Sequence, residues 1–528
     1  APAAPIPTVV RRFGDVRLST TAFATGRAGA SAVVVRHRVE NSGAATMSGT
    51  LYLALRPFQV NPPSQDYGRP GGPTPLRHLR MEGGEIRGDT HRLIPLPAPD
   101  VFGATTFAGG DIVADYLAAG MLPEAREVRD PDGAASGALG WEWTLDPGKS
   151  KEVSILVPLH EEFRAPTWDS PSDMERWVED RLRSCRASWE VSPDPGLLSV
   201  PAAGQDLLHT WRAQYAHLLI SRAGASLQPG TRAYQRCWIR DAALMATAML
   251  RAGMNEPVRE FIEWFAPYQY DNGKIPCCVD ARGSDPVPEH DSGGEFIFLI
   301  AEYLRYTRDQ DLAREMLPRV LAAASYLDSL RLTRRTEEFR QGDQAHFFGI
   351  LPPSISHEGY AAKPMHSYWD SFFGLRGFRD AVYLAEALGE SAELPRLRAI
   401  EREFAADLAA SVRAALEVHD IDYVPGCADL GDFDATSTAI ILAPIEGEDI
   451  LDDAAVRATF ERYYRFFTDR RDGAEWDAYT PYETRVISAF IRLGWRERAH
   501  GLIDYFLAAR KPPAWPQWPE VVWREERK

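Results

Sequence analysis

The sequence lacks three features that would mark a specialised class of protein. It has no uninterrupted apolar run of about 20 residues, the length that a membrane-spanning helix needs. Its five cysteines in 528 residues are odd in number and too few for a disulfide framework. Basic residues are the minority, because 59 lysines and arginines face 75 aspartates and glutamates. Such a chain repels phosphate, so we expect neither a nucleic acid nor a membrane as its partner.

Few signals indicate a compartment or a bound ion. The first seven residues, Ala-Pro-Ala-Ala-Pro-Ile-Pro, have neither the charged region nor the apolar region of a signal peptide. A signal that has already been removed would leave no trace, so a cytoplasmic and a periplasmic or secreted location both stay open. No zinc-type spacing of Cys and His occurs, and Cys237, Cys277 and Cys278 are predicted to be small buried residues. We expect no cofactor and no metal, and the sequence does not indicate an oligomeric state.

The first part of the chain has the alternating pattern of β-strands. Residues 31–40 and 49–56 are two such segments, with turn-forming residues between them. Residues 141–145 and 153–157 flank a Pro-Gly turn and are predicted to form a hairpin-like pair. The pattern predicts an antiparallel β-sandwich over residues 1–165.

The apolar period becomes helical further along, after a linker with one helix that we expect over residues 166–200. Helices with a single apolar stripe, near 312–327 and 394–416, alternate with segments that are apolar on nearly every side. These segments are residues 242–250, 296–304, 372–388, 438–445 and 486–493. Helices that are apolar all round are buried, so the alternation predicts an (α/α)6 barrel over residues 201–528. Five inner helices are counted, and a sixth is expected after the loop at 515–523.

Each inner helix follows a loop rich in acids and aromatic residues. In a ring of helix pairs these loops open on one face, so we expect them to meet at a single mouth. They comprise residues 238–241, 289–291, 356–370, 429–434, 477–483 and 515–523. Carboxylates and aromatic rings together suit a sugar, which stacks on rings and donates hydrogen bonds to fixed acids. The predicted partner is therefore an oligosaccharide or polysaccharide.

Most acids in these loops also have a purely structural interpretation. An aspartate at the start of a helix usually accepts bonds from unpaired backbone N–H groups. Four aspartates occupy such places: Asp241, Asp291, Asp370 and Asp434. Glu295 and Glu483 complete capping-box patterns that begin at Ser292 and Thr480. Two glutamates, Glu358 and Glu520, fit no capping pattern. Hydrolysis of a glycosidic bond needs one carboxylic acid and one carboxylate, and these two are the predicted pair.

Several short segments resemble a known family. Trp238-Ile-Arg240-Asp241-Ala-Ala is similar to the Trp-Pro-Arg-Asp-Ala segment of glucoamylases (glycoside hydrolase family 15), and His290-Asp-Ser-Gly before Phe296 is similar to their Asn-Asp-Gly segment. The order of sandwich, linker helix and barrel also resembles prokaryotic glucoamylases and related sugar phosphorylases. Residues 368–373 resemble trehalase-like and debranching-type barrels, and residues 354–360 resemble uncharacterised bacterial glycosidase-like proteins.

The resemblance implies roles for particular residues. It implies a general acid before the third inner helix and a general base before the sixth, which are Glu358 and Glu520. The Trp-Glu-Glu acid motif of glucoamylases is absent, so Asp370 is a second candidate acid and Glu483 a second candidate base. Arg240 and Asp241 are expected to hold the terminal sugar. The other expected substrate-binding residues are Trp238 and Trp369 as stacking walls, His290, Asp291, His357, Tyr360, Asp434 and Trp518.

The leading hypothesis is an inverting, exo-acting glycoside hydrolase without a metal, with its two carboxyl groups about 6.5–9.5 Å apart. One alternative is a phosphorylase on the same fold, with a phosphate pocket formed by His357, Lys363 and His366. A second is a lyase or epimerase that uses His290, His366 or Tyr360 as its base. A third is a sugar-binding barrel without catalysis. Asp429, Asp432 and Asp434 could also bind Ca²⁺, although a solvated acidic loop has the same composition.

Overall fold

The computed structural model describes residues 4–58, 74–191, 198–231, 234–356, 358, 360–511 and 515–524. It divides into two compact units, Ala1–Ser192 and Pro193–Lys528. None of the helices among these described residues combines the length and the apolar character needed to cross a bilayer.

The first unit is an antiparallel β-sandwich with one long helix, which confirms the predicted fold class. Its elements are β1 (Thr8–Phe13), β2 (Val16–Arg27), β3 (Ala30–Asn41), β4 (Met47–Leu55), β5 (His78–Glu82), β6 (Glu85–Gly88), β7 (His91–Leu96), β8 (Val101–Thr105), β9 (Glu127–Arg129), β10 (Ser136–Leu145), β11 (Ser150–Pro158) and α1 (Pro171–Val191). One sheet has the order β1-β2-β3-β11-β7-β6-β5-β9, and the other has the order β4-β10-β8.

The larger sheet is buried on both faces where β11 lies. Successive side chains of a strand point to opposite faces. Ile155 packs with Trp141 of the smaller sheet, whereas Leu156 packs with Val178 and Leu182 of α1. The helix therefore covers the face that the smaller sheet leaves open.

The predicted hairpin between residues 141–145 and 153–157 is wrong. β10 pairs with β4 and β8, whereas β11 pairs with β3 and β7. The Pro-Gly turn, with Gly148 at φ 74°, carries the chain from one sheet to the other. Because β11 is apolar on both faces, it occupies the interior of the larger sheet, where it has a partner on each side.

The second unit is the predicted helical barrel. Its helices are α2 (Gln205–Ser221), α3 (Ile239–Arg251), α4 (Asn255–Phe265), α5 (Ser292–Thr307), α6 (Gln310–Leu332), α7 (Glu337–Arg340), α8 (Tyr368–Leu388), α9 (Leu394–His419), α10 (Ala435–Thr438), α11 (Asp453–Arg471), α12 (Arg485–Arg492) and α13 (Arg496–Ala508). Its strands are β12 (Cys237–Trp238), β13 (Cys278–Asp280), β14 (Gly283–Ser284), β15 (Ala478–Tyr479) and β16 (Val522–Trp523).

The inner helices contact one another in the order α3, α5, α8, α10 and α12. The striped helices α4, α6, α9, α11 and α13 pack outside them. Burial follows the predicted pattern, since every residue of α5 from Ser292 to Leu304 is buried. Each inner helix thus begins at the end of the ring where the acidic loops lie.

Two predictions about the inner ring need correction. The fourth inner helix was expected over residues 438–445, but it is a single α-turn, α10, followed by a 3-10 turn at Ala439–Ile441. Pro444 explains the early end, because proline disfavours the helical conformation in the residue before it and has no N–H to donate. The expected sixth inner helix does not occur among the described residues, where the chain between α13 and Arg524 forms only the short strand β16.

The contact between α5 and α8 depends on glycine. A Cβ added at Gly377 of α8 would lie 2.7 Å from the Cα of Gly294 in α5, and a Cβ at Gly294 would lie 2.1 Å from the carbonyl oxygen of Phe373. The two inner helices therefore approach with backbone against backbone.

We predict that Gly377→Ala lowers the free energy of unfolding by about 1–3 kcal/mol, because the added methyl group overpacks this contact. Gly501→Ala is the matched control, since Gly501 lies inside α13 with nothing within 4 Å of an added Cβ. Its free energy of unfolding should rise by up to about 1 kcal/mol, because alanine has a higher helix propensity than glycine. Thermal unfolding of both variants shows whether Gly377→Ala is destabilised and Gly501→Ala is stabilised. Equal shifts in the two would contradict the close approach.

Candidate active site

Arg240 is the centre of the candidate site. It lies in the first turn of α3 and is only 4% exposed. Its guanidinium donates to Glu289 Oε2 at 2.6 Å and lies 3.4 Å from Asp291 and 3.5 Å from Glu358. Burial opposes a charged guanidinium, but Asp291, Glu289 and Glu358 together raise the pKa of Arg240 well above its ordinary value. One arginine of α3 therefore joins the loops before two further inner helices, α5 and α8.

A second arginine shares one of these carboxylates. Arg485, the first residue of α12, donates from Nη1 to Glu358 Oε2 at 2.7 Å. Its guanidinium carbon lies 4.8 Å from the ring centre of Trp369 and 4.6 Å from that of Tyr482. The fifth loop thus reaches the same place, and Glu358 lies between two cations.

Glu520 comes to this region from the C-terminal loop. It is exposed, and the hydroxyl of Tyr234 lies 2.7 Å from both of its carboxylate oxygens. The Tyr234 ring is tilted against Trp238, with 6.3 Å between ring centres. The chain segment before α3 therefore holds the carboxylate in place.

Tyr482 adjoins the ion pair between Arg485 and Glu358. Burial of its phenol, together with the charges of Glu358, Asp241 and Glu520, raises the pKa of Tyr482 to about 12. The hydroxyl therefore stays neutral at physiological pH and can donate a hydrogen bond. The ring is 43% exposed, so it remains available to a ligand.

Two carboxyl groups beneath the site have incomplete hydrogen bonding. Glu295 is completely buried, and neither of its oxygens has a hydrogen-bond partner. Asp370 is also buried and accepts from the hydroxyl of Ser354, while its Oδ1 has no partner. Burial, reinforced by the charge of Asp291, raises the pKa of both acids well above their ordinary values. Burial therefore favours the protonated form of both acids.

Asp291 is a third buried acid of the site and lies 3.4 Å from Arg240. It is 1% exposed and accepts a hydrogen bond from Trp369 Nε1 at 3.0 Å. Burial raises the pKa of Asp291 to about 6, against the opposing attraction of Arg240. Burial also raises the pKa of the half-buried Asp241. The site therefore contains one carboxyl group, that of Asp291, whose pKa lies close to neutral.

The capping predictions for the loop acids hold in one case only. Asp434 caps α10, where it accepts from the backbone N–H groups of Thr436 and Ser437. Asp241 and Asp370 lie inside the first turns of α3 and α8, beyond the N-cap positions, and Asp291 is an N-cap residue whose side chain makes no capping bond. The Ser292–Glu295 capping box is absent as well, because both Glu295 oxygens lack partners.

Glu483 also departs from its predicted capping box. Its oxygens accept from Arg470 at 2.9 and 2.6 Å and from the hydroxyl of Tyr463 at 2.6 Å. Thr480 precedes this turn without making a side-chain cap bond. Glu483 therefore forms a buried ion pair that joins α11 to the start of α12.

Other predicted binding residues are engaged with protein groups. Trp369 is 1% exposed and carries Arg485 over its ring, so it supports the arginine and does not form an open wall. Tyr360 is buried and donates to Asp432 at 2.8 Å, and Trp518 donates to the carbonyl of Phe506 at 2.6 Å. Trp238 is half-buried, and its ring is 5.2 Å from the Arg236 guanidinium. His357 lies outside the described residues.

The two described histidines near this site, His290 and His366, are both engaged or buried. His290 is buried, and burial lowers its pKa to about 4, which keeps the ring neutral. His366 accepts from Arg334 Nε at 3.0 Å, and its other ring nitrogen lies 3.2 Å from Asp429.

The acidic loop that was considered for Ca²⁺ binds protein groups instead. Asp429, Asp432 and Asp434 contact His366, Tyr360 and the first turn of α10, respectively. Within the part of the chain that the structure describes, they do not form a cluster of ligand atoms close enough for one ion.

Sequence reasoning missed four residues of the site, which are Tyr234, Glu289, Tyr482 and Arg485. The sequence did contain a signal for Arg485. A cation at the N-terminus of an apolar helix is opposed by the helix dipole, so it needs acidic partners from elsewhere. Arg240 and Arg485 both occupy this position, and they share Glu358.

No family profile matches this chain, and no curated protein matches it by sequence. Among solved structures, it is similar to a bacterial glucoamylase complexed with acarbose, with a TM-score of 0.52 and 12% identity over 77% of this chain and 57% of that chain. A rhamnosidase from Klebsiella oxytoca with rhamnose bound gives a TM-score of 0.42 at 14% identity, over 96% of this chain and 87% of that chain. A GH78 family rhamnosidase of Bacillus sp. GL1 gives a TM-score of 0.41 at 12% identity, over 96% of this chain and 43% of that chain.

The similarity to the glucoamylase shows the fold. It confirms, at that level, the resemblance that the short segments indicated. The chain spans 57% of the length of that glucoamylase.

We predict that Glu483→Gln lowers the free energy of unfolding by about 3–5 kcal/mol, because it leaves Arg470 as an uncompensated buried charge. The Arg470 side chain is 1% exposed and that of Glu483 is 9% exposed. Glu520→Gln, at an exposed position, should change the free energy by no more than about 0.5 kcal/mol. Chemical denaturation measures both variants. A similar small effect in both would contradict a structural role for Glu483.

We predict that Asp291→Asn changes the pH dependence of stability. The folded-state pKa of about 6 exceeds the ordinary value of 3.8, so the native protein loses stability as pH rises from about 4 to 6 and recovers none above. The asparagine variant lacks this loss. Its thermal midpoint should therefore match the wild type near pH 4 and exceed it by several degrees at pH 7.5. A difference that is constant with pH would contradict a raised pKa at Asp291.

Proposed function

We propose that this chain is an inverting glycoside hydrolase that removes a sugar from the non-reducing end of an oligosaccharide. The observation that carries the proposal is a set of loop acids held by one network of contacts. Glu289, Asp291 and Glu358 lie around Arg240, and Arg485 donates to Glu358. Glu520 is held by Tyr234 in the segment before Arg240. The acids come from loops before different inner helices and from the C-terminal loop, at one mouth of the barrel. Bound acarbose in the glucoamylase of similar fold is consistent with a sugar in such a mouth.

Arg240 and Asp241 hold the terminal sugar in this proposal. Arg240 is fixed by Glu289 and Asp291, so its position is set before a sugar arrives. Asp241 is half-buried and can accept from sugar hydroxyls. Carboxyl groups outnumber the two arginines here, so the cleft favours a neutral or cationic sugar and opposes a uronic acid or a sugar phosphate.

Glu358 is the general acid and Glu520 the general base. Glu358 protonates the glycosidic oxygen as the bond from that oxygen to the anomeric carbon breaks. Glu520 takes a proton from the water that attacks the opposite side of the same carbon. The exposed position of Glu520 leaves room for this water, while Tyr234 fixes the carboxylate.

For Glu358 to act as the general acid, Arg485 must move away from its carboxyl group. Two guanidinium groups beside Glu358 favour its carboxylate form, and a general acid must carry a proton. The bound sugar displaces Arg485 from Glu358 and takes its place beside Tyr482.

The alternatives receive less support. A phosphorylase needs cations free to bind phosphate, but His366 is engaged by Arg334 and Asp429, and Lys363 is exposed outside this cluster of contacts. A tyrosine base is opposed at Tyr360, because burial raises the pKa of its phenol far above the ordinary value. A sugar-binding barrel without catalysis would keep the same cleft, and an activity assay distinguishes it from a hydrolase.

We predict that wild-type protein releases free sugar from some member of a panel of α- and β-linked oligosaccharides, without added phosphate. Glu358→Gln and Glu520→Gln should each lower the rate about 100- to 10,000-fold, because each removes one proton-transfer group. Glu256→Gln, at an exposed position in the first turn of α4, is the matched control and should leave the rate unchanged.

The product also reports the mechanism, because inversion gives the anomer opposite to that of the substrate in the first NMR spectra. Turnover only with phosphate would replace the hydrolase by a phosphorylase. Activity that survives Glu358→Gln would contradict the acid and favour a lyase or epimerase. Sugar binding without turnover would leave a binding protein.

A further inference from the structure

Two adjacent thiols and one carboxylate meet beside the short strands that precede the active site. Cys277 and Cys278 are buried, and Asp285 is half-buried. One potential ligand atom from each of the three lies within 4.8 Å of the other two. Among the described residues, no other group of three cysteines, histidines or acids meets this condition.

The distance between the thiols suits one shared ion. The two sulfur atoms are 3.4 Å apart, far beyond the length of about 2.05 Å of a disulfide bond. Zinc binds sulfur at about 2.3 Å in a tetrahedron, which places two sulfur ligands about 3.8 Å apart. Neighbouring cysteines inside a regular strand would point to opposite faces. Cys277 lies just before β13, and there the two thiols point to the same side.

The charges around the three residues also balance for a divalent ion. Two thiolates and the Asp285 carboxylate carry three negative charges, which a divalent ion and Arg236 would neutralise. Arg236 Nη2 donates to Asp285 at 2.6 Å, and the N–H of Val287 donates to it at 3.0 Å. A carboxylate has about four acceptor positions, so these two bonds leave room for an ion.

We propose that Cys277, Cys278 and Asp285 bind one thiophilic divalent cation of the Zn²⁺ or Cd²⁺ type. The two thiol protons pass to solvent as the metal–sulfur bonds form, and water takes the fourth position. Soft thiolate ligands select such cations over Mg²⁺ or Ca²⁺.

The ion would brace the segment that carries Arg240. β13 pairs with β12 so that Cys278 lies opposite Trp238, and the carbonyl of Cys277 accepts from the N–H of Ile239 at 3.0 Å. An ion on Cys277 and Cys278 therefore fixes the strand that positions the first turn of α3. Its role is structural, because these three residues make no contact with the carboxylates proposed for catalysis among the contacts of the described residues.

The test is a titration of chelator-treated, reduced full-length protein with Cd²⁺. Ultraviolet absorption of the thiolate–cadmium bond should rise to a plateau at one ion per chain, and metal analysis after gel filtration should give the same ratio. Cys277→Ser/Cys278→Ser should weaken binding on the order of 100-fold or more. Cys185→Ser, which removes a half-buried thiol of α1, is the control and should bind as the wild type does.

A second readout is thermal stability, because a ligand that binds only the folded state raises the unfolding midpoint. Zn²⁺ should raise the midpoint of the wild type and of Cys185→Ser, but not that of the double variant. Asp285→Asn keeps both thiols and should weaken Cd²⁺ binding about 10-fold, which tests the site even if the double variant does not fold. Absence of binding in the wild type, or unchanged binding in Asp285→Asn, would overturn the proposal. No readout depends on glycosidase activity.

Discussion

The buried guanidinium of Arg240 is the constraint from which the site follows. Removing a cation from water costs several kcal/mol unless acids compensate it. Glu289, Asp291 and Glu358 supply that compensation, and they come from the loops before α5 and α8. These loops must therefore meet at the start of α3. Arg485 extends the arrangement to the start of α12 through Glu358. One ion-pair network thus fixes four chain segments at the mouth of the barrel.

The same network creates an excess of carboxyl groups in a poorly solvated place. The pKa values of Glu295 and Asp370 are raised well above their ordinary values, and that of Asp291 is about 6. A fold selected for stability alone would replace such acids by apolar residues, which fit a buried helix end at lower cost. Perturbed acids concentrate at functional sites, so their presence is consistent with the proposed function. By contrast, the buried acid Glu483 is fully paired, as expected for a structural residue.

The periodicity of apolar residues made the fold predictable, whereas contacts between side chains distant in sequence could not be predicted. The alternation in β3 and the all-round apolar pattern of α5 are local signals, and the sandwich and barrel followed from them. The partner of β11 depends on tertiary packing, so the hairpin was wrong. Glu358 and Glu520 were selected because they fit no cap pattern, and their catalytic roles remain predictions. Tyr482 and Arg485 escaped notice because only the folded chain brings them to Glu358.

The most direct test of this account is an experimental structure with a slowly hydrolysed or non-hydrolysable oligosaccharide bound. The account predicts a terminal sugar in contact with Arg240 and Asp241, with Arg485 withdrawn from Glu358. It also predicts about 6.5–9.5 Å between the carboxyl groups of Glu358 and Glu520, with a water beside Glu520. A sugar bound elsewhere on the chain would contradict the site. A carboxyl separation near 5 Å, or beyond about 12 Å, would contradict the catalytic pair.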